Sequence, residues 1–405
     1  MTHPTRAVTS TGRRWWLVAA VAAALVAAGV ALAVVFGGLG GSEPPPAAET
    51  ADATNPGEGR ERMIDGLDNV AQARFALGQV WAVTSDLANN YSQGEANARI
   101  VRIDPGSGSQ TLVMADLEVQ PLLLESHGLL WAKLVDRIVG FDGSGAEAVT
   151  VPWAADGELI GGDEALWVTD FPGGRVAAID PTRGEVREVI DTVRFPVAPI
   201  TAFGHVWLPS STDGTVGIID EATLGRSTNR IVAVTDGRQK DVTAVPAGPT
   251  GDEVWVRDFD GAYTAISAAT GRFGELRRVT FDRSINRVIP IDDRLLLLPS
   301  WGLSVLVADL ATGRTLAELR LDAIPFRAVV VDGPAGREAW VSSDGGFEGL
   351  FHIDLESLEI VERFAVGENS STTTGPTQPF LVGDEVWIPN RGDNKVFVVD
   401  RAFGR

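Results

Sequence analysis

The chain is 405 residues long, and its 44% hydrophobic and 22% charged residues are ordinary for a globular protein that buries a core. Its formal net charge of −20 argues against a nucleic-acid partner, because binding to phosphates requires a basic face. The sequence contains no Cys, which excludes disulfides, thiolate metal sites and cysteine nucleophiles and leaves the redox compartment undetermined.

The first element is a long apolar run near the N-terminus. Residues 17–36 carry no charged side chain, and at 1.5 Å per residue they are long enough to cross about 30 Å of hydrocarbon. Two Arg followed by two Trp occupy positions 13–16, where a cytoplasmic flank and an interfacial aromatic belt belong. The positive-inside rule therefore predicts a cytoplasmic tail over 1–16, a transmembrane helix over 17–36 and an extracytoplasmic remainder.

A cleaved export signal is the alternative interpretation of the same run. The string "ALA" at 31–33 would serve as a cleavage site, and the chain would then be secreted. Both interpretations predict export. Residues 37–59 are rich in Pro, Gly, Ala and acids, and such a composition buries too little apolar surface to fold. We expect a disordered linker there.

From residue 68 onward, eight copies of one β pattern follow each other. Each copy has a short apolar strand centred on one large residue, and these centres recur every 36 to 50 residues. They are Trp81, Trp131, Trp167, Trp207, Trp255, Leu297, Trp340 and Trp387. A period in this range that is made only of β units is typical of a β-propeller. We predict an all-β fold, an eight-bladed β-propeller over 60–405, with seven blades as the alternative because the early copies are irregular.

The central strands repeat nearly the same string, "GDEALW" at 162–167 and "GDEVW" at 251–255 and 383–387. A Trp side chain is large and flat enough to fill the wedge between neighbouring sheets. We therefore interpret these Trp residues as packing between blades, not as stacking platforms for a ligand.

Closure of the ring is predicted from the two ends of the repeat region. The eighth copy stops after its third strand, "KVFVVD" at 395–400, whereas an orphan segment, "RERMIDGL" at 60–67, precedes the first copy. If the orphan segment pairs as the outer strand of the last blade, the ring is sealed and no edge is left open.

The repeats resemble the YVTN and streptogramin-lyase-like group of bacterial β-propellers. The similarity covers residues 68–405 and lies in the Trp strand ("VWIPN" at 386–390), the third strand ("RVAAID" at 175–180) and the turn that follows it ("DLATG" at 309–313). These are fold motifs, and the group contains enzymes as well as many non-enzymatic surface proteins. The resemblance therefore implies a propeller without implying one activity.

An enzyme that resembles streptogramin lyase would carry His and Glu side chains around a Mg²⁺ at the mouth of the channel. The one Glu-x-His pair, Glu125 and His127, falls on the turn face opposite the loops that usually carry sites, and His205 and His352 fall in different blades. A lactonase-like Ca²⁺ site would require hard oxygen ligands that converge on the axis. We predict no cofactor, and keep a lyase- or lactonase-type enzyme that uses a divalent cation as the alternative.

In a propeller, the loops that join second to third strands share a face with the loops between blades, and such loops commonly carry recognition. Aromatic residues flanked by polar ones on this face suit a protein or glycan partner. The predicted contact residues are Tyr91, Asp170, Phe171, Asp213, Asp258, Phe259, Trp301, Asp344, Phe347, Asn390 and Arg391. We thus predict a recognition or scaffold module at the cell envelope, anchored to the membrane by its N-terminal helix.

Overall fold

The computed structural model describes residues 60–86, 97–224, 230–234, 238–249, 251–268, 276–333, 336–346, 349–366, 377–391 and 393–401. The predicted cytoplasmic tail, transmembrane helix and linker (1–59) lie outside these ranges. Among the residues inside them, no helical segment has the length and hydropathy that a bilayer span requires.

The described residues form thirty-two β-strands. The first strand and the first two blades comprise β1 (Glu61–Ile64), β2 (Gln72–Ala76), β3 (Gln79–Thr84), β4 (Ala98–Ile103), β5 (Gln110–Leu117), β6 (Leu123–Ser126), β7 (Leu129–Lys133), β8 (Arg137–Phe141) and β9 (Glu147–Pro152). The third and fourth blades comprise β10 (Leu159–Gly161), β11 (Leu166–Asp170), β12 (Arg175–Asp180), β13 (Glu185–Asp191), β14 (Ile200–Ala202), β15 (His205–Pro209), β16 (Thr215–Asp220) and β17 (Arg230–Ala233).

The remaining four blades follow in the same way. The fifth and sixth comprise β18 (Gln239–Gly248), β19 (Gly251–Asp258), β20 (Tyr263–Ser267), β21 (Leu276–Val279), β22 (Ile285–Ile291), β23 (Arg294–Pro299), β24 (Ser304–Asp309) and β25 (Thr315–Arg320). The seventh and eighth comprise β26 (Ala323–Gly333), β27 (Gly336–Gly346), β28 (Gly349–Asp354), β29 (Glu359–Ala365), β30 (Phe380–Val382), β31 (Glu385–Asn390) and β32 (Lys395–Asp400).

The strands build eight four-stranded antiparallel sheets, so the fold is an eight-bladed β-propeller and the seven-bladed alternative is wrong. In seven sheets the strands are paired in chain order, from β2-β3-β4-β5 to β26-β27-β28-β29. The first strands of neighbouring sheets contact each other, as β2 does with β6 and β30. The first strand of each blade is therefore innermost, and the fourth is outermost.

The eighth blade takes its outer strand from the opposite end of the repeat region. Its strand order is β30-β31-β32-β1, and β1 is antiparallel to β32, with Glu61 opposite Val399 and Ile64 opposite Val396. Arg62 adds an ion pair to Glu385 at 2.7 Å. The segment 60–67 thus closes the ring, and the last blade has no open edge at β32.

Every Trp that centres a second strand is fully buried, and Leu297 takes the equivalent place in the sixth blade. Each indole reaches the adjacent blade: Trp131, for example, packs in one apolar cluster with Leu166 and Val168 of the third blade. The interpretation of these residues as packing between blades is confirmed. A wedge of this size is filled most efficiently by a large planar side chain.

The repeated string also explains how buried indole N–H groups are satisfied. In the two "GDEVW" copies the Glu two residues before the Trp accepts the bond: Trp255 Nε1 donates to Glu253 at 2.8 Å, and Trp387 Nε1 donates to Glu385 at 2.9 Å. In the longer "GDEALW" copy, Trp167 instead donates to Glu221 of the next blade at 3.1 Å. In the copy with one inserted residue, the indole N–H therefore bonds to a Glu of the next blade instead of a Glu of its own strand.

Candidate functional site

Successive strands of a blade alternate in direction, so the ends of the second and fourth strands point the same way. We call the face that carries the second-to-third-strand loops and the loops between blades the top face. The bottom face carries the first-to-second and third-to-fourth-strand turns. The two faces differ in what they show to solvent.

The bottom face is built from turns that an Asp at the end of a third strand holds together. Asp180 accepts bonds from Thr182 N at 3.0 Å and Thr182 Oγ1 at 2.9 Å. Hydrogen bonds from Arg187 and Thr182 hold the pKa of Asp180 well below its ordinary value. The same Asp-to-Ser or Asp-to-Thr arrangement occurs at Asp104, Asp142, Asp220, Asp309 and Asp354. These aspartates are structural, because their side chains mimic a backbone turn.

The top face exposes large apolar side chains. Six of them lie in its loops: Val119, Leu122, Val135, Phe259, Trp301 and Leu303. Trp301 is 73% exposed and Phe259 is 59% exposed. The bottom-face turns that the structure describes expose no large apolar side chain, and the other exposed ones lie on strands. Exposed apolar patches of this kind are typical of interaction surfaces.

A cleft of about 600 Å³ opens on the top face where the first three blades meet. Val119 and Leu122 of one interblade loop, Val135 of the second blade and Phe171 of the third blade line it. The loop between β7 and β8 contains only residues 134–136. Because this loop is so short, it does not fill the space between its neighbours.

Two ionisable groups border the cleft, and burial disfavours the charge of both. Burial lowers the pKa of the Lys133 amine, whose Nζ donates to the Leu134 carbonyl. Burial raises the pKa of Glu158, whose Oε1 accepts a bond from Ala198 N at 3.3 Å. The cleft therefore offers mainly apolar contact surface, with polar groups at its border.

The predicted aromatic contacts that fall in the described ranges all lie on the top face. Phe171 lines the cleft and meets Phe195 edge to face, with 5.1 Å between ring centroids. Phe259 and Trp301 project from the fifth and sixth blades. Tyr91 and Phe347 lie outside the described residues. Asp344 of β27 is paired with Ile324 of β26, and its side chain is not among those that the structure describes.

The predicted polar contacts whose side chains the structure describes are engaged in holding loops. Asp170 is buried and accepts bonds from Gly173 N at 2.9 Å and Arg175 Nε at 3.0 Å. Asn390 is also buried, and its amide donates to Val366 O at 2.5 Å.

Three further predicted residues also hold loops through hydrogen bonds. Asp213 accepts a bond from Thr215 Oγ1 at 2.5 Å, and Asp258 accepts one from Ala262 N at 2.8 Å. The Arg391 guanidinium donates to Ala71 O at 3.2 Å, which ties the last blade to the loop before the first blade. These side chains position the top-face loops.

The aliphatic part of the cleft was missed by sequence reasoning. Its signal is the apolar run "VQPLLL" at 119–124, which places two exposed aliphatic residues beside a Pro between strands. Among the described residues, no three His, Asp or Glu side chains come together as a metal-binding group. His127 lies in a bottom-face turn with Nδ1 2.7 Å from Ser126 Oγ, while His205 and His352 belong to the fourth and seventh blades.

No protein-family model matches the sequence, and no match to a curated protein was found. Solved structures are similar in fold. Sqt1 from Saccharomyces cerevisiae has a TM-score of 0.62 at 12% identity, covering 84% of this chain and 97% of that one. The computationally designed Ika8 protein has a TM-score of 0.60 at 14% identity, covering 83% and 97%. BamB from Moraxella catarrhalis has a TM-score of 0.55 at 14% identity, covering 84% and 98%.

These identities are low, and one of the three proteins is a design, so the likeness describes architecture alone. The chain is an eight-bladed β-propeller.

Proposed function

We propose that this propeller is a recognition module that binds a partner protein through apolar contacts on its top face. The observation that carries the proposal is the difference between the two faces. Large apolar side chains are exposed in the top-face loops, and those of the described bottom-face turns are not. Aromatic side chains are enriched where proteins bind each other, and Trp is a frequent energetic anchor.

The cleft supports a protein partner over a glycan. Val119, Leu122 and Val135 offer no hydrogen bonds to sugar hydroxyls, but they suit the apolar side chains of a peptide segment. Its volume of about 600 Å³ falls in the range of pockets that enclose small ligands, so it has room for several such side chains. Phe171 supplies an aromatic wall.

The location that we propose for this binding is the extracytoplasmic side of a membrane, with residues 17–36 as a single-pass anchor. The support is the uncharged run itself and the Arg pair before it. The resemblance to the YVTN and streptogramin-lyase-like group fits such a location. A partner would then belong to the cell envelope.

The function is tested by co-purification with the full-length protein from membranes after mild crosslinking. Trp301→Ala is expected to weaken capture of the partner about thirtyfold, the effect of losing a 2 kcal/mol anchor. Val135→Lys is expected to abolish capture, because it places a charge in the apolar cleft.

The matched control is Val361→Lys, which changes an exposed apolar residue on the outer strand β29, away from the top face. This variant should capture the partner as the wild type does. Equal capture by the wild type and both top-face variants would refute the proposal.

A further inference from the structure

Three consecutive blades share one irregularity in their innermost strands. In β18, β22 and β26 the register with the second strand shifts by one residue near the top-face end. The extra residues are Lys240, Asn286 and Phe326. A β-bulge re-aims side chains, and bulges are over-represented beside functional sites. Here they lie at the mouth of the central channel, because these strands line it.

The first two bulges bring cations to this mouth. Lys240 is the extra residue of β18, and Arg287 directly follows the extra residue of β22. Both side chains reach solvent. Neither has a hydrogen bond or an ion pair to any other residue that the structure describes. In a chain with a net charge of −20, two cations at one place that form no ion pair with a described acid need an explanation.

Among the residues that the structure describes, the acid that acts on both cations is Asp241, and it is already paired. Asp241 accepts bonds from Arg257 Nε at 3.2 Å and Nη2 at 2.8 Å, one to each carboxylate oxygen. Arg257 is buried, and its Nη1 also donates to Ile285 O at 3.2 Å and Asn286 Oδ1 at 3.1 Å. This guanidinium therefore joins the bulge of the fifth blade to that of the sixth. We call it the Arg257 brace.

Among the described ionisable groups that act on one another here, positive charge is in excess and partly removed from water. Lys240, Arg257 and Arg287 oppose the single charge of Asp241, which leaves two positive charges in excess. Burial lowers the pKa of both Lys240 and Arg287, and the charge of Arg257 lowers both further. Both side chains are exposed, yet burial by nearby protein atoms lowers the pKa of each. Such cations bind an anion strongly, because a charge-assisted hydrogen bond replaces incomplete hydration.

We propose that Lys240 and Arg287, positioned by the Arg257 brace, bind an oxyanion at the top-face mouth of the channel. The ligand chemistry is a phosphate or carboxylate group. The planar guanidinium of Arg287 matches two oxygens of such a group, and the Lys240 amine adds a compact charge. The site does not depend on the partner protein proposed above, since it uses none of the exposed apolar residues.

The proposal is tested on the full-length protein in detergent by thermal unfolding and calorimetric titration. The probes are inorganic phosphate and acetate, each compared with chloride at the same ionic strength. At least one of the two oxyanions is expected to raise the melting temperature in a saturable manner, because a ligand that binds only the folded state stabilises it. Chloride should give no saturable rise. A response to phosphate alone assigns a phosphate group, and a response to acetate alone assigns a carboxylate.

Variants locate the site. Lys240→Gln and Arg287→Gln should each weaken anion binding about tenfold or more, as expected for the loss of a hydrogen bond to a charged group. Arg287→Lys should retain part of the binding, because it keeps the charge and loses the planar fork. The matched control is Arg314→Gln, an exposed Arg of a bottom-face turn, which should bind as the wild type does. No saturable response to either anion, or the same loss in all of these variants, would overturn the proposal.

Discussion

Replacing Trp387 by Ala tests whether the repeated Trp residues hold the ring together. Trp387 is fully buried and packs in one cluster with Val80 and Ala82 of the first blade. It therefore lies at the seam where the last blade meets the first. The Arg62 guanidinium lies 5.0 Å from the centre of its ring and contacts Glu385, the acceptor of the indole N–H.

The expected cost follows from these contacts. Emptying a large aromatic side chain from a packed core costs about 3–5 kcal/mol, because the cavity collapses only in part. Glu385 loses one donor but keeps Arg62, so the variant leaves no buried acid without a partner. We therefore expect a loss of about 3–5 kcal/mol in the free energy of unfolding. Trp255→Ala should cost a similar amount, because it empties the same wedge in another blade.

The assay is urea unfolding followed by far-ultraviolet circular dichroism, which does not depend on the fluorescence of the replaced Trp. Trp301→Ala is the control, since this side chain is 73% exposed on the top face. Its cost should stay below about 1 kcal/mol, as for most surface changes. A large loss of unfolding free energy for Trp301→Ala, with negligible losses for the Trp387 and Trp255 variants, would refute this assignment. Trp301 would then be the packing residue, and the other two would be free to serve recognition.

Deleting residues 60–67 should destabilise the whole propeller, because it removes the outer strand of the last blade, whereas deleting 40–55 in the predicted linker should leave the melting temperature unchanged. Equal melting temperatures for the two deletions would contradict this route of closure. Glu158→Gln should stabilise the fold at pH 7.5 and have no effect at pH 4. Burial raises the pKa of Glu158 in the folded state, so the folded state is penalised only at pH values above the ordinary pKa of a glutamate, where the unfolded chain is ionised. Urea titrations at both pH values measure the difference in stability between the variant and the wild type. Stabilisation at pH 4 but not at pH 7.5 would contradict the prediction. A reporter fused after Arg405 should be active outside the cytoplasm and stay in the membrane fraction; a soluble form beginning near residue 34 would indicate a cleaved signal instead.

The sequence by itself determined the all-β propeller fold and the identity of the packing residues, and it favoured eight blades over seven. Each blade repeats one local pattern, in which a short apolar strand centred on a large residue specifies a sheet wherever it occurs. Closure was readable for the same reason, since the eighth copy lacks a fourth strand and a single orphan segment precedes the first copy. Phe259 and Trp301 could be assigned to the top face from loop position alone.

Only the tertiary structure decided which polar residues turn inward and which groups meet. Asp170 and Asn390 have the composition of surface loop residues, yet both are buried and hold backbone groups, because loop conformation sets the direction of a side chain. Lys240 and Arg287 are 47 residues apart in sequence, and they lie on neighbouring innermost strands that the Arg257 brace joins. The cleft likewise combines three blades. Contacts between residues so distant in sequence depend on how the sheets are arranged around the propeller axis. A sequence pattern that repeats within each blade does not specify which side chains of different blades come into contact.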